Sequence, residues 1–155
     1  EGNKDFIARV REQIGDLGLT TGANAMNDAL QLFNAKKIAV LTPYQPVGDK
    51  NVHLYFSECG YDVKKVIGLR CPDATSIAEV PLSDVIEAVK ELNQEDVDAI
   101  IQVGTNLSTI DIFPTMERYI GKPCIPINLT TAWHALRACG INDQFDGMGQ
   151  LLERY

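Results

Sequence analysis

A glycine-led polar loop follows the most apolar run of the chain. Residues 97–109 read VDAIIQVGTNLST, and the apolar run ends where the loop begins. Gly104, Thr105 and Asn106 then offer small side chains and accessible backbone groups. The run is typical of a central parallel strand covered by helices on both faces, and such sheets bind ligands, often anions, at the carboxyl ends of their strands. We therefore expect chemistry at this loop.

Thr105 and Asn106 are open to two interpretations. Their backbone and side-chain donors could stabilise a carboxylate or an enediolate, as an oxyanion hole does. Threonine and asparagine are also common helix N-caps, and the same groups could serve only that purpose. Thr130 and Thr131, which follow a later strand, are open to the same two interpretations, and capping is favoured for them.

Length, composition and charge restrict the class of protein. The chain has 155 residues, of which 45% are hydrophobic and 23% charged, as in a single globular domain. Its apolar runs are far shorter than the roughly 20 residues of a membrane span, and its first residues lack a signal-peptide pattern. We expect a cytoplasmic protein without a membrane partner. The formal net charge of −7 also argues against nucleic acid as a partner.

The cysteines predict neither a metal site nor disulfides. No CxxC pattern and no Cys/His ligand spacing occurs, so we expect reduced thiols and no bound metal. One cysteine, Cys124, lies inside a predicted strand and should be a small buried side chain. The four cysteines are Cys59, Cys71, Cys124 and Cys139.

Hydrophobic periodicity predicts alternating strands and helices. The predicted strands are residues 37–41, 63–67, a segment around Ile100, and 124–127. The predicted helices are residues 5–14, a helix capped by Thr21 or Asn24 that runs to about residue 33, and 50–59, 82–92, 109–120 and 131–139. This order predicts an α/β fold, a doubly wound four-stranded parallel sheet with helices on both faces.

The loops that follow the strands should converge on one cleft. Tyr44 follows the first strand, residues 73–78 the second, 104–108 the third and 128–131 the fourth. These segments contain no Lys, Arg or His, so hydroxyls, amides and helix N-termini would hold an anion there. Such a cleft suits a small carboxylate.

Four segments, taken in order, carry a family resemblance over almost the whole chain. They read LTTGANAMNDAL, KKIAVLTPYQPVGDKNVHLYFSECGYDV, VGTNLSTIDIFPTMERYIGKP and INLTTAWHALRACGI. The chain resembles the maleate isomerase and arylmalonate decarboxylase branch of the aspartate/glutamate racemase superfamily. The resemblance implies a cofactor-free, homo-oligomeric enzyme built from two similar α/β halves. The active site would lie between the halves, and in racemases and isomerases each half offers a cysteine.

The resemblance also implies a division of the chain. Residues 1–35 would be the helical tail of a first half that is otherwise missing. Residues 36–141 would be the complete second half. Residues 142–155 would return to pack on the first half.

The resemblance assigns roles to individual residues. Maleate isomerases carry the second cysteine in a motif like SCTNL, and the matching residues 103–107 read VGTNL, so Gly104 takes the position of the cysteine. A cysteine restored there is expected to lie beside a helix N-terminus, which lowers a thiol pKa. Tyr44 takes the position of a tyrosine that hydrogen-bonds the substrate carboxylate; alternatively it packs on a helix. The expected substrate-binding residues are Tyr44, Thr105, Asn106 and Thr131.

Two functional hypotheses follow. The first is a cofactor-independent enzyme of the isomerase or decarboxylase type, or a fragment of one, that acts on a small carboxylate or dicarboxylate. With Gly104 in place of one thiol, two-cysteine chemistry would be incomplete. The second is a binding or regulatory module that kept the carboxylate site and lost the reaction. A cysteine in a strand-end loop ahead of residue 1 would favour the enzyme.

Overall fold

Four parallel strands form the centre of the molecule, as predicted. The computed structural model describes residues 2–15 and 17–155. The strand order is β2-β1-β3-β4, and every pairing is parallel. The strands are β1 (Lys37–Thr42), β2 (Asp62–Gly68), β3 (Ala99–Gln102) and β4 (Cys124–Pro126).

Helices cover both faces of the sheet, which confirms the predicted doubly wound architecture. The helices of the described residues are α1 (Gly2–Ile14), α2 (Gly22–Leu32), α3 (Pro46–Glu58), α4 (Ala74–Ala78), α5 (Leu82–Leu92), α6 (Phe113–Ile120), α7 (Ile127–Ala138) and α8 (Gln150–Arg154). None of them is long and apolar enough to cross a membrane.

Two hydrophobic cores lie on opposite faces of the sheet. Because strand side chains alternate, Ile38 and Val40 of β1 belong to one core and Ala39 and Leu41 to the other. Residues of α2, α3, α7 and α8 complete the first core, and residues of α5 and α6 complete the second. The chain leaves β1 towards β2 in one direction and reaches β3 on its other side. The loops after β1 and β3 therefore part at a topological switch point, where doubly wound sheets bind ligands.

Prolines shift several helix starts from their predicted positions. The helix predicted at residues 109–120 begins at Phe113, because Pro114 suits the first turn and the buried Thr109 hydroxyl donates to Gln102 Oε1 at 3.0 Å instead of capping. The helix predicted at 50–59 begins earlier, at Pro46. The helix predicted at 131–139 begins at Ile127, directly after Pro126.

One helix and one helix cap agree with the prediction, and one predicted loop differs from it. The helix Leu82–Leu92 has the predicted bounds, and Thr21 caps α2 by accepting a hydrogen bond from the backbone N–H of Asn24 at 3.2 Å. Residues 73–78, predicted as a loop after the second strand, instead form the short helix α4 and its N-cap Asp73.

The ends of the chain pack to different extents. Helix α2 packs on α7 within the first core, whereas α1 has no buried residue. Leu151 and Leu152 of α8 are buried in the same core as α2. The buried Glu117 carboxylate accepts the backbone N–H groups of Cys124 at 3.0 Å and Gln150 at 2.7 Å, which ties α8 to α6 and β4. A further contact of residues 142–155 with a first half stays a prediction.

Candidate functional site

A cavity of about 370 Å³ opens at the switch point, between the loops that follow β1 and β3. Tyr44, Gly104 and Thr105 form its polar side. The rest of the wall comes from the starts of α2 and α7, from α3 and from Val103, and is largely apolar. Its apolar members are Ala23, Met26, Val52, Phe56, Val103 and Ile127, and Tyr55 presents its ring.

Two of the predicted binding residues do not line this cavity. Asn106 is exposed, and its side-chain amide donates to the carbonyl of Ala74 in α4 at 3.3 Å. Thr131 lies inside α7, close to the cavity wall: a Cβ added to Gly22 would come 3.4 Å from the Thr131 hydroxyl. The site therefore includes Tyr44, Gly104 and Thr105, with Thr131 just behind the wall.

The predicted capping role of Thr130 and Thr131 is wrong. Because α7 begins at Ile127, both residues lie within the helix. Their hydroxyls donate to the carbonyls four residues earlier, Thr130 to Pro126 and Thr131 to Ile127, each at 2.7 Å. Threonine commonly makes this bond inside helices.

The Tyr44 side chain packs on a helix and also lines the cavity, and its role in substrate binding stays a prediction. Its ring packs on the first turn of α3, where a Cβ on Gly48 would come 2.7 Å from the Tyr44 Cβ. Its hydroxyl reaches the opposite loop, 3.4 Å from the position of a Cβ on Gly104. Burial raises the pKa of the Tyr44 phenol. The phenol therefore stays protonated at neutral pH and can donate a hydrogen bond without carrying charge.

Gly104 has a conformational reason to be glycine. Its φ is +102°, a region that residues with a side chain rarely adopt. An added Cβ would lie 2.6 Å from both Cγ and Cδ of Pro43. The expected thiol beside a helix N-terminus stays a prediction, and two features of this backbone oppose it: α6 begins only at Phe113, and a side chain at 104 would require Pro43 to shift.

The loop at residues 104–106 presents backbone donors. The carbonyl of Gly104 accepts from the Gln102 amide at 2.8 Å, and the carbonyl of Thr105 accepts from the Asn128 amide at 2.8 Å. Within the part of the chain that the structure describes, the backbone N–H groups of residues 104–106 donate to no protein acceptor. Fixed carbonyls and available N–H groups are the arrangement that binds a carboxylate or enediolate oxygen.

Helix α3 contributes to the site in a way that the sequence pattern did not reveal. Asn51, Val52, Tyr55 and Phe56 occupy one side of this helix and line the cavity. Their spacing is that of a single helical face, and all four lie within the helix predicted at residues 50–59. The signal was therefore present but was not interpreted as a wall of the site.

A cation lies next to the strand-end loops, outside the segments that the sequence analysis named. Arg70 lies two residues after β2, and its guanidinium donates to the carbonyl of Tyr44 at 2.8 Å and forms an ion pair with Asp49. This contact joins the loops after β1 and β2. It depends on tertiary packing, which the sequence pattern does not encode.

No thiol of the described residues lines the cavity. Cys124 is buried, as predicted, and burial raises the pKa of its thiol far above the ordinary value. Cys59 and Cys139 are exposed, and Cys71 is partly buried. The described residues also contain no cluster of three His, Cys, Asp or Glu side chains that could hold a metal ion.

Comparison with known proteins identifies relatives along almost the full chain. The family model described as arylmalonate decarboxylase matches residues 2–152. A maleate isomerase from Alcaligenes faecalis is 26% identical over 144 residues, which cover 92% of this chain and 57% of the isomerase. The chain thus spans less than two thirds of that relative.

Solved structures show the same fold. The maleate isomerase Iso from Pseudomonas putida S16, in a cysteine-to-alanine variant with maleate, superimposes with a TM-score of 0.81 at 26% identity. That match covers 86% of this chain and 54% of the isomerase. A crystal structure of arylmalonate decarboxylase has a TM-score of 0.84 at 22% identity and covers 94% of this chain and 64% of the decarboxylase.

Proposed function

Because the chain belongs to the arylmalonate decarboxylase family, we propose that it is the carboxylate-binding half of a cofactor-independent enzyme of the isomerase or decarboxylase type. One observation carries this proposal. The Tyr44 phenol and the backbone of Gly104 and Thr105, whose N–H groups donate to no acceptor among the described residues, meet at one cavity on the switch-point edge of the sheet.

These donors suit a reaction in which negative charge moves onto a carboxylate. Decarboxylation of a malonate leaves an enediolate, and proton exchange beside a carboxylate passes through the same species. Hydrogen bonds from neutral, preorganised donors stabilise the developing charge more than the starting carboxylate. Tyr44 and the 104–106 loop would bind the substrate and share this role.

The apolar wall favours a substrate with an apolar substituent. Met26, Val52, Phe56 and Ile127 would contact the part of the substrate that points away from Tyr44 and the loop. An aryl group gains from burial against such a wall, whereas maleate offers little apolar surface. We therefore propose an aryl- or alkyl-substituted malonate, or a related carboxylate, rather than maleate.

The thiol needed for proton transfer would come from outside the residues described. The resemblance implies that Gly104 takes the position of the second-half cysteine of the isomerases, and no thiol of the described residues lines the cavity. A first half that carries a cysteine would complete the enzyme, in the homo-oligomer that the resemblance implies. The same observation favours a second candidate function, a carboxylate-binding module without catalysis.

Calorimetric titration of this chain with phenylmalonate and with maleate tests the proposal. We expect phenylmalonate to bind more tightly than maleate, and Tyr44→Phe to weaken phenylmalonate binding about three- to ten-fold, the value of one hydrogen bond. Tyr119→Phe, which alters an exposed tyrosine on α6, is the matched control and should bind like the unmodified chain. Equal affinity of Tyr44→Phe and the unmodified chain would remove Tyr44 from the site, and tighter binding of maleate would contradict the role of the apolar wall.

A further inference from the structure

The loop that carries Tyr44 is held by a charged pair that the proposed chemistry does not use. Asp49 lies in the first turn of α3, and Arg70 follows β2. Neither residue lines the cavity. We infer that Asp49 and Arg70 are positioning residues that hold the Tyr44 phenol at the carboxylate site. This inference rests on the proposed role of Tyr44.

Hydrogen bonds fix both backbone polar groups of Tyr44. The Arg70 guanidinium donates to the Tyr44 carbonyl at 2.8 Å and also to the Asp49 carboxylate. The other oxygen of that carboxylate accepts the hydroxyl of Thr42. The Thr42 hydroxyl oxygen in turn accepts the backbone N–H of Tyr44 at 3.0 Å. The four residues thus form a closed ring of contacts around the turn after β1.

The Asp49 carboxylate is the shielded member of this ion pair. Its side chain is 12% exposed, whereas the carboxylates of the other ion pairs among the described residues are 53% to 72% exposed; the Arg70 side chain is 48% exposed. Thr42 is fully buried. Exposed pairs contribute little because water screens them, but a shielded carboxylate that accepts several hydrogen bonds holds a defined geometry.

The surrounding backbone makes room for the pair. A Cβ on Gly68 would overlap the Arg70 guanidinium and the Asp49 carboxylate. Arg70 itself adopts a left-handed φ of +61°, where glycine or asparagine would be less strained. The turn alone does not require an arginine at that position. The contacts of the Arg70 side chain with Tyr44 and Asp49 explain why an arginine is there.

A double-mutant cycle on the full chain tests the inference. The variants are Arg70→Met, Tyr44→Phe and the two combined, with Asp49→Asn as a second way to break the pair. Lys65→Met is the matched control, because it removes the Lys65–Glu91 ion pair of β2, the strand that precedes Arg70, outside the site. Each variant is titrated with phenylmalonate, and the Tyr44 phenol is followed by NMR with ¹³Cζ-labelled tyrosine.

We expect Arg70→Met and Asp49→Asn each to weaken phenylmalonate binding about three- to ten-fold, and Lys65→Met to leave it unchanged. In the Tyr44→Phe background, Arg70→Met should add no further loss, because it acts through the phenol. Independent losses that multiply in the double variant would overturn the inference.

The NMR measurement separates this inference from the proposed function. If the pair positions Tyr44, breaking it frees the ring, and the phenol pKa falls towards its ordinary value of about 10. This result supports the inference even where phenylmalonate does not bind and the proposed function fails. An unchanged Tyr44 pKa in both Arg70→Met and Asp49→Asn would overturn the inference whatever the ligand does.

Discussion

Gly104 shows how one residue can be explained in two ways. The family resemblance marks it as the position of a missing thiol, and the structure adds that its backbone conformation would strain any side chain. Its φ of +102° acts together with the Pro43 ring, which lies 2.6 Å from the position that a Cβ would take. The loop has therefore adapted to glycine, and a cysteine would need Pro43 or the loop to move.

Replacing Gly104 by alanine should destabilise the protein. The forced φ and the contact with Pro43 lead us to expect a loss of about 1–3 kcal/mol in the free energy of unfolding. Urea denaturation measures this loss. Gly18→Ala is the control, because a Cβ there would meet nothing within 4 Å and its φ is not positive.

A second variant, Gly104→Cys, tests the same explanation of Gly104. A Gly104→Cys variant as stable as the unmodified chain, with a thiol that alkylates rapidly, would show that the loop accepts a cysteine. The conformational explanation of Gly104 would then be wrong.

For individual residues, the sequence could predict which side chains lie at the edge of the sheet, because that depends only on how closely a residue follows a strand. Tyr44 and Thr105 were identified because each closely follows a strand, and the ends of parallel strands share one edge. Asn106 was misplaced because the turn directs its side chain towards Ala74. Asp49 and Arg70 were missed because only the fold brings them together.

Among the helices and strands, α3 contributes most to the cavity wall. Its first turn supports the Tyr44 ring, and its later residues supply much of the wall. The sequence predicted this helix but began it at residue 50, which obscured the role of Pro46 as an N-terminal residue. Hydrophobic periodicity and composition locate a helix well. The residue at which the helix begins depends instead on proline and on hydrogen bonds from capping side chains.

Ionisation of Tyr55 in α3 should lower the free energy of unfolding at alkaline pH. Burial, together with the neighbouring Cys59, raises the pKa of the Tyr55 phenol to about 12. An unfolded tyrosine ionises near pH 10, so between about pH 10 and 12 the unfolded state holds fewer protons than the folded state. The free energy of unfolding should be insensitive to this group below pH 10 and should fall above it.

Urea denaturation across this pH range measures the effect. Tyr55→Phe should reduce the alkaline fall without abolishing it, since burial also raises the pKa of Tyr44 and Tyr61. Tyr119→Phe, at an exposed position, serves as the control. An equal alkaline fall in Tyr55→Phe and the unmodified chain would show that Tyr55 is not responsible.

For the fold as a whole, the predicted architecture is confirmed, and the resemblance led to the family that the comparisons identify. The alternation of strands and helices was sufficient because both faces of the sheet are covered by amphipathic helices. The apolar wall of the site was not predicted. It is assembled from residues of α2, α3 and α7 that are distant in the sequence, and the periodicity of each helix does not reveal which neighbour it faces.

A second cavity is the alternative place for an anion to bind. This cavity, of about 570 Å³ between α1, α2 and α3, is lined by the cations Lys4 and Arg11 and by the carboxylate of Glu58. It is larger than the cavity beside Tyr44, but α1 has no buried residue and holds these cations at the surface. A carboxylate attracted only by positive charge would bind there.

Amide-resolved NMR titration of this chain with phenylmalonate decides between the two cavities. We predict saturable shifts that are largest at the amides of residues 104–106 and Tyr44, with small changes at Lys4 and Arg11. Shifts centred on Lys4 and Arg11, with the 104–106 amides unmoved, would contradict the assignment of the carboxylate site to the loops after β1 and β3.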